Sequence, residues 1–346
     1  MTTSDTQSLD KTSIEKRNPP HRIVTMFYVI ACTLATLQFL RSYFIIDSPY
    51  LNALKYELGN ERMPFQARIL MSVLMRHAES SSIMTQIAGK MRGPLRSPDT
   101  FCVFLVGLVS LAVIAFVVRA FYRSASVSGQ LAWLPYPLVL AMMAETYIVR
   151  FQEAIYFPYD LLAACLFTLC VYLCYTRRYL LLLPVFILGC FARETIILVV
   201  PLVLLNIDSL PNSLRDSRKE LVTAAGLAVI WLTVFVSLNH LYAHNESESF
   251  LRIHANLSLL RNPLQWSQVA SGCGFLMLVP LLFWRAMPDR RLRMYSLLIP
   301  VWIVIIFFVG MLAESRVFGE LIGFIAVYCT ILFETIYLVR RRYSTV

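Results

Sequence analysis

Residues 179–207 read YLLLLPVFILGCFARETIILVVPLVLLNI, two apolar runs with Arg193 and Glu194 side by side between them. How often this stretch crosses a bilayer decides the fold. As one helix it would hold a guanidinium and a carboxylate at the bilayer centre, at a cost of several kcal/mol. As two helices it gives segments of about 14 residues, each roughly 21 Å long at 1.5 Å per residue, joined by an ARET turn. The hydrocarbon core is about 30 Å thick, so that turn would sit below the surface, at the floor of a cavity. Pro184 and Pro201 interrupt the two segments and predict kinks.

The basic residues favour the double crossing. Short cytoplasmic loops collect Lys and Arg. Here they cluster at Lys16, Arg17 and Arg22, at Arg119 and Arg123, and at Arg177 and Arg178. Further clusters are Arg215, Arg218 and Lys219, then Arg285, Arg290, Arg291 and Arg293, then Arg340, Arg341 and Arg342. If 179–207 crosses twice, every cluster falls on one side together with both termini; if it crosses once, the last three clusters change sides. The stretches 23–46, 100–118, 130–149, 159–176, 220–240, 267–284, 294–313 and 317–339 are each apolar enough to be a span. The expectation is an all-α, polytopic membrane bundle of about ten transmembrane helices, with both termini cytoplasmic.

Composition agrees with that class. Of 346 residues, 58% are hydrophobic and 15% charged, with mean hydropathy +0.64. Soluble domains carry about 45–50% apolar and about 25% charged residues. The net charge of +10 reads as topology and anionic-lipid contact, with no nucleic acid as partner, because the basic residues punctuate apolar runs. Residues 1–21 are polar and read as a disordered cytoplasmic tail, and 22–346 as a single membrane-embedded domain. The first apolar run has no small-residue cleavage site after it and is expected to stay as an anchor. The eight cysteines lie in or beside apolar runs and read as small core hydrophobes. His240 and His244 have helical spacing but lack the rest of a metal-binding pattern, so no metal ligand is assigned.

In this topology the outward loops gather the chemistry. The first outer loop, about 47–99, carries Asp47, Gln66 and Arg68, and its 66–78 stretch repeats Ile69, Leu70, Val73 and Leu74 at the spacing of an amphipathic surface helix. The next carries Arg150, Glu153, Tyr159 and Asp160, then comes the Arg193–Glu194 turn, and the short AESR loop holds Glu314 and Arg316, with Glu320 just beyond. Asn245-Glu-Ser and Asn256-Leu-Ser in the 241–266 loop match the glycosylation sequon. Recessed carboxylates can act as general bases or hold a divalent cation, and the residues name no cofactor beyond that option. Arginines hold phosphate bidentately. Aromatic and amide groups suit sugar rings. Together they suit sugar transfer from a phosphate-linked lipid, a donor an outward-facing enzyme could draw from the bilayer.

The stretches FIIDSPYLNALKYE, MPFQARILMSVLM, FPYDLLAACLFTL and FARETIILVVPLVLL resemble the polytopic membrane glycosyltransferases of the GT-C class and their bacterial relatives. The resemblance covers about residues 23–205. It implies an acidic residue just after the first helix, here Asp47, as base or metal-holding acid. It also implies a polyprenyl-phosphate sugar donor, a glycan or lipid acceptor and a bacterial cytoplasmic membrane. The residues expected to do chemistry are Asp47, Glu194 and Glu153, with Glu194 and Glu153 orienting the acceptor. Arg68, Arg193, Arg150, Gln66, Tyr159 and Asp160 are expected to bind substrate, with Arg68 and Arg193 on the lipid phosphate. The other readings these residues leave open are a transporter or flippase of a lipid-linked or anionic substrate, a polysaccharide polymerase, and a non-catalytic envelope scaffold.

Overall fold

The computed structural model describes residues 22–44, 51–149, 157–207, 217–247 and 251–343. Within them the protein is all-α: α- and 3-10 helices and one π-helical turn, joined by turns, with one isolated bridge between Met63 and Ser247. Among the described residues, five helices are long and apolar enough to cross a membrane: Val24–Tyr43, Pro98–Ala125, Arg218–Leu241, Arg290–Val309 and Ser315–Tyr337. This marks an integral membrane protein. Three shorter apolar helices, Asp160–Tyr175, Tyr179–Ala192 and Glu194–Leu204, complete the apolar set.

Burial sorts these helices into layers. Ser315–Tyr337 buries 89% of its most apolar stretch, whereas Val24–Tyr43 and Arg218–Leu241 each bury 17%. The first is the central post and the other two stand at the rim, with apolar side chains outward, as a lipid-facing helix requires. The post packs against Pro98–Ala125, Pro135–Ala144 and Asp160–Tyr175, and the last of these packs in turn on Tyr179–Ala192. Gly323 makes the closest approach possible, since a Cβ there would collide with Thr168 on the neighbouring helix. Small residues at helix crossings do this in membrane bundles, where dispersion contacts rather than water exclusion hold helices together.

The decisive 179–207 stretch is broken where its charges stand. Helix Tyr179–Ala192 ends at Arg193, whose backbone is extended (φ −165°, ψ 139°), and Glu194–Leu198 continues as a 3-10 helix into Val199–Leu204. The expected span 267–284 is not a single helix. It is split into Trp266–Ala270 and Val279–Leu282 by turns. Cys273, Gly274 and Phe275 all have positive φ there, a region that costs a non-glycine residue about 1–2 kcal/mol and cannot continue a right-handed helix. Hydropathy alone does not see this break, because Phe275, Leu276 and Met277 keep the segment apolar.

In the loop after the first helix the expected amphipathic helix runs Ile69–Ser80. Its buried stripe is Met71, Ser72, Met75 and Ala78, turned toward Pro98–Ala125, while Ile69, Leu70, Val73 and Leu74 are half-buried. The helix therefore rests on the protein with one face, and the residues expected to define its apolar face lie beside that seam.

Candidate functional site

Three elements end at the same place: the N-terminus of Asp160–Tyr175, the C-terminus of Tyr179–Ala192, and the 3-10 segment Ser315–Leu321 leading into the central post. The start of Ile69–Ser80 adds Arg68 beside them. A π-helical turn, Glu145–Val149, packs on the 315–321 segment. Such turns often mark functional positions.

The extended backbone at Arg193 turns its side chain inward. Its Nη1 lies 3.1 Å from Glu320 Oε1 and 3.5 Å from Asp160 Oδ1. Thr195 donates its hydroxyl to Glu320 at 2.7 and 2.8 Å. Arg316 reaches Glu314 Oε2 through Nη2 at 2.8 Å and Asp160 Oδ1 through Nη1 at 3.8 Å, and its guanidinium lies 3.8 Å from the centre of the Phe157 ring. Arg68 grips both oxygens of Glu194, Nε at 3.0 Å and Nη2 at 2.5 Å, and donates through Nη1 to Tyr159 Oη at 2.6 Å. The Tyr56 hydroxyl donates to the Arg68 carbonyl and fixes the start of that helix. Burial opposes the charge on Arg68, but the Glu194 carboxylate more than offsets this and raises its pKa above the ordinary arginine value. Trp231, from the rim helix Arg218–Leu241, donates Nε1 to the Glu194 carbonyl at 2.9 Å.

Not every polar atom in the cluster is satisfied. Asp160 Oδ2, Arg193 Nε, Arg316 Nε and Nη1, Thr146 Oγ1 and Tyr147 Oη are buried without a hydrogen-bond partner. Buried unpaired groups cost about 1–3 kcal/mol each, so their concentration at one spot calls for a further partner there, a water, an ion or a ligand.

Beside the cluster lies a cavity of about 410 Å³. Arg68, Arg193, Arg252, Arg316, Glu194 and Glu314 are its charged lining residues, with Thr195 beside them. Trp231, Phe235 and Leu238 wall it from one rim helix, and Ile305, Ile306 and Val309 from the Leu298–Val309 helix. Those two helices share no extensive contact, and the cavity occupies the space between them.

The structure thus brings together Arg68, Arg193, Glu194, Tyr159 and Asp160 from the expected set. Tyr159 and Asp160 are fully buried behind the cavity wall, where they hold the arginines. Gln66 is close by but occupied: its Oε1 accepts from the Glu61 N–H at 3.0 Å and its Nε2 donates to the Tyr56 carbonyl at 3.3 Å, so it braces the loop. Asp47, Arg150 and Glu153 lie outside the described residues. Three members of the cluster, Glu314, Arg316 and Glu320, were not among the expected site residues. Their signal was the AESR interruption between two apolar runs, the same kind of signal that ARET gave. Among the described residues no three His, Cys, Asp or Glu side chains converge as a metal-binding set.

Both sequon asparagines are structural. Asn256 is buried, donates to the Phe307 and Gly310 carbonyls at 2.8 Å each and accepts from Leu312 N–H at 2.9 Å, which ties the 253–261 helix to the loop before Glu314. Asn245 donates to the Gly59 and Glu61 carbonyls at 3.0 and 2.6 Å.

Compared with known protein families, with curated proteins and with solved structures, the chain finds no match.

Proposed function

We propose that this chain is an integral membrane glycosyltransferase that moves a sugar from a polyprenyl-phosphate donor to a glycan or lipid acceptor. The observation that carries the reading is the cavity, lined by four arginines and walled by apolar side chains from Arg218–Leu241 and Leu298–Val309, two helices that stand apart. A phosphate headgroup suits the guanidiniums. A hydrocarbon chain suits the apolar walls, and the space between Arg218–Leu241 and Leu298–Val309 gives it a way in from the bilayer.

In this reading the chain crosses the membrane about ten times, with both termini cytoplasmic and the charged cluster toward the outer face of a bacterial cytoplasmic membrane. The acceptor hydroxyl attacks the anomeric carbon, the bond from that carbon to the phosphate oxygen breaks, and the polyprenyl phosphate leaves with the electron pair. The hydroxyl proton passes to a carboxylate, Asp47 by the resemblance, with Glu194 and Glu153 orienting the acceptor. Arg68 and Arg193 stabilise the charge that grows on the leaving phosphate.

The test is release of polyprenyl phosphate from a polyprenyl-phosphate sugar by the purified protein in micelles, followed by mass spectrometry. Wild type releases it with an acceptor present, and Asp47→Asn does not while remaining folded. Absence of both binding and release by wild type would overturn the reading. The broken helix at Arg193 favours a second reading, a carrier of lipid-linked substrate, since broken helices form substrate sites in carriers. Movement of the intact lipid across vesicles without loss of its sugar would select it.

A further inference from the structure

The charged cluster has an ionic balance that bears on how it could take a phosphate. Three guanidiniums, of Arg68, Arg193 and Arg316, meet four carboxylates, of Asp160, Glu194, Glu314 and Glu320, and Arg252 on the same cavity wall brings the formal sum to zero. An anion gains a free guanidinium donor here only where a carboxylate gives way. The four are not equally held. The side chains of Asp160 and Glu320 are 0% and 2% exposed, and neither residue lines the cavity. Glu194 has both oxygens on Arg68. Glu314 lines the cavity, is 26% exposed, and is held by one hydrogen bond from Arg316. Arg316 also lines the cavity, with a side chain 8% exposed and two nitrogens, Nε and Nη1, without a hydrogen-bond partner. The Phe157 ring against its guanidinium fixes the plane in which those nitrogens lie.

Resting on the function proposed above, we infer that Arg316 takes the phosphate of the lipid ligand beside Arg68 and Arg193, and that Glu314 is an internal counter-anion the phosphate displaces. In the empty cavity Glu314 occupies the Arg316 Nη2 donor. A phosphate oxygen replaces it there, and the released carboxylate turns into the cavity on the side where an acceptor would stand. The ligand class is a phosphate carrying a long hydrocarbon chain; free phosphate would meet the same guanidinium but leave the apolar walls unused.

The sign of one substitution tests this. Binding of farnesyl phosphate, farnesol and inorganic phosphate to the full-length protein in micelles is read from ligand-dependent thermal shifts. Glu314→Gln removes the competing charge and is expected to bind farnesyl phosphate roughly tenfold tighter than wild type. Arg316→Gln is expected to bind it at least about tenfold more weakly, near the level of farnesol. If Arg316→Gln does not fold, Arg316→Lys, which keeps the charge without the fork, takes its place and is expected to weaken binding in the same direction. Binding unchanged or weakened in Glu314→Gln would overturn the displacement, as would wild-type affinity in the Arg316 variants. Inorganic phosphate binding as tightly as farnesyl phosphate would overturn the lipid as its source. Sugar release by wild type combined with unchanged binding in Glu314→Gln would keep the transferase and remove this inference alone.

Discussion

Arg193 carries the cluster. Its guanidinium stands between two carboxylates that have almost no exposure of their own, Glu320 and Asp160. Breaking a buried pair from one side leaves uncompensated charge and costs about 3–5 kcal/mol, while removing both partners can be close to neutral. Arg193→Met is therefore expected to lower thermal stability in micelles sharply, and adding Glu320→Gln to it to cost less than the sum of the two single changes. A double-mutant cycle measures this; strict additivity would show that the pair does not interact. Glu57 makes a different prediction. It lies in the short helix Ala53–Leu58, buried, with Oε1 unpartnered. Burial first, then Glu79 and Asp99, push its pKa from 4.5 up to about 7. A carboxyl whose pKa is raised by folding contributes fully below its unfolded pKa, and that contribution is lost as pH climbs through the folded value. Wild type should thus lose stability relative to Glu57→Gln between about pH 4.5 and 7, read from thermal midpoints across that window. At this scale the sequence named Arg68, Arg193, Glu194, Tyr159 and Asp160 because charges and tyrosines beside apolar runs are conspicuous. It did not separate the arginines on the cavity from Gln66, whose amide is consumed by two backbone groups, since nothing in a linear sequence says which polar groups loop backbone will claim.

Among the elements, the break at 193 was legible and the break at 273 was not. The first is written in charge, which a bilayer penalises heavily. The second is written in backbone geometry, with three successive residues in the left-handed region, and only Gly272, Gly274 and Pro280 hint at it among apolar neighbours. The seam between the central post and Asp160–Tyr175 was equally hidden, because a glycine in an apolar run does not name the residue it admits. At that seam Gly323→Ala is expected to cost about 1–3 kcal/mol by overpacking against Thr168. Thr168→Ala in the same chain should recover part of the loss, because two of the three atoms that would collide are its Oγ1 and Cγ2. Thermal unfolding of the single and double variants measures it, and no cost in the single variant would show that the helices slide apart freely.

For the whole molecule, membrane residence and the all-α class followed from composition and from apolar runs with basic punctuation, and they hold. A cavity at the ARET turn was expected from the sequence; its walls were not, since they depend on Arg218–Leu241 and Leu298–Val309 standing apart while a third element, Ser315–Leu321, supplies Arg316 between them. The central claim is that a lipid-linked phosphate occupies this cavity, with its chain between those helices. The most direct test is photo-crosslinking of the purified protein with a polyprenyl phosphate bearing a photoreactive group on its chain, followed by peptide mapping. The account predicts labelling on the walls around Trp231 to Leu238 and Ile305 to Val309, competed by unlabelled polyprenyl phosphate and reduced by Arg316→Gln. Labelling confined to outward, lipid-facing positions such as Leu180 and Phe116, which are 91% and 76% exposed, and unaffected by competitor, would contradict it.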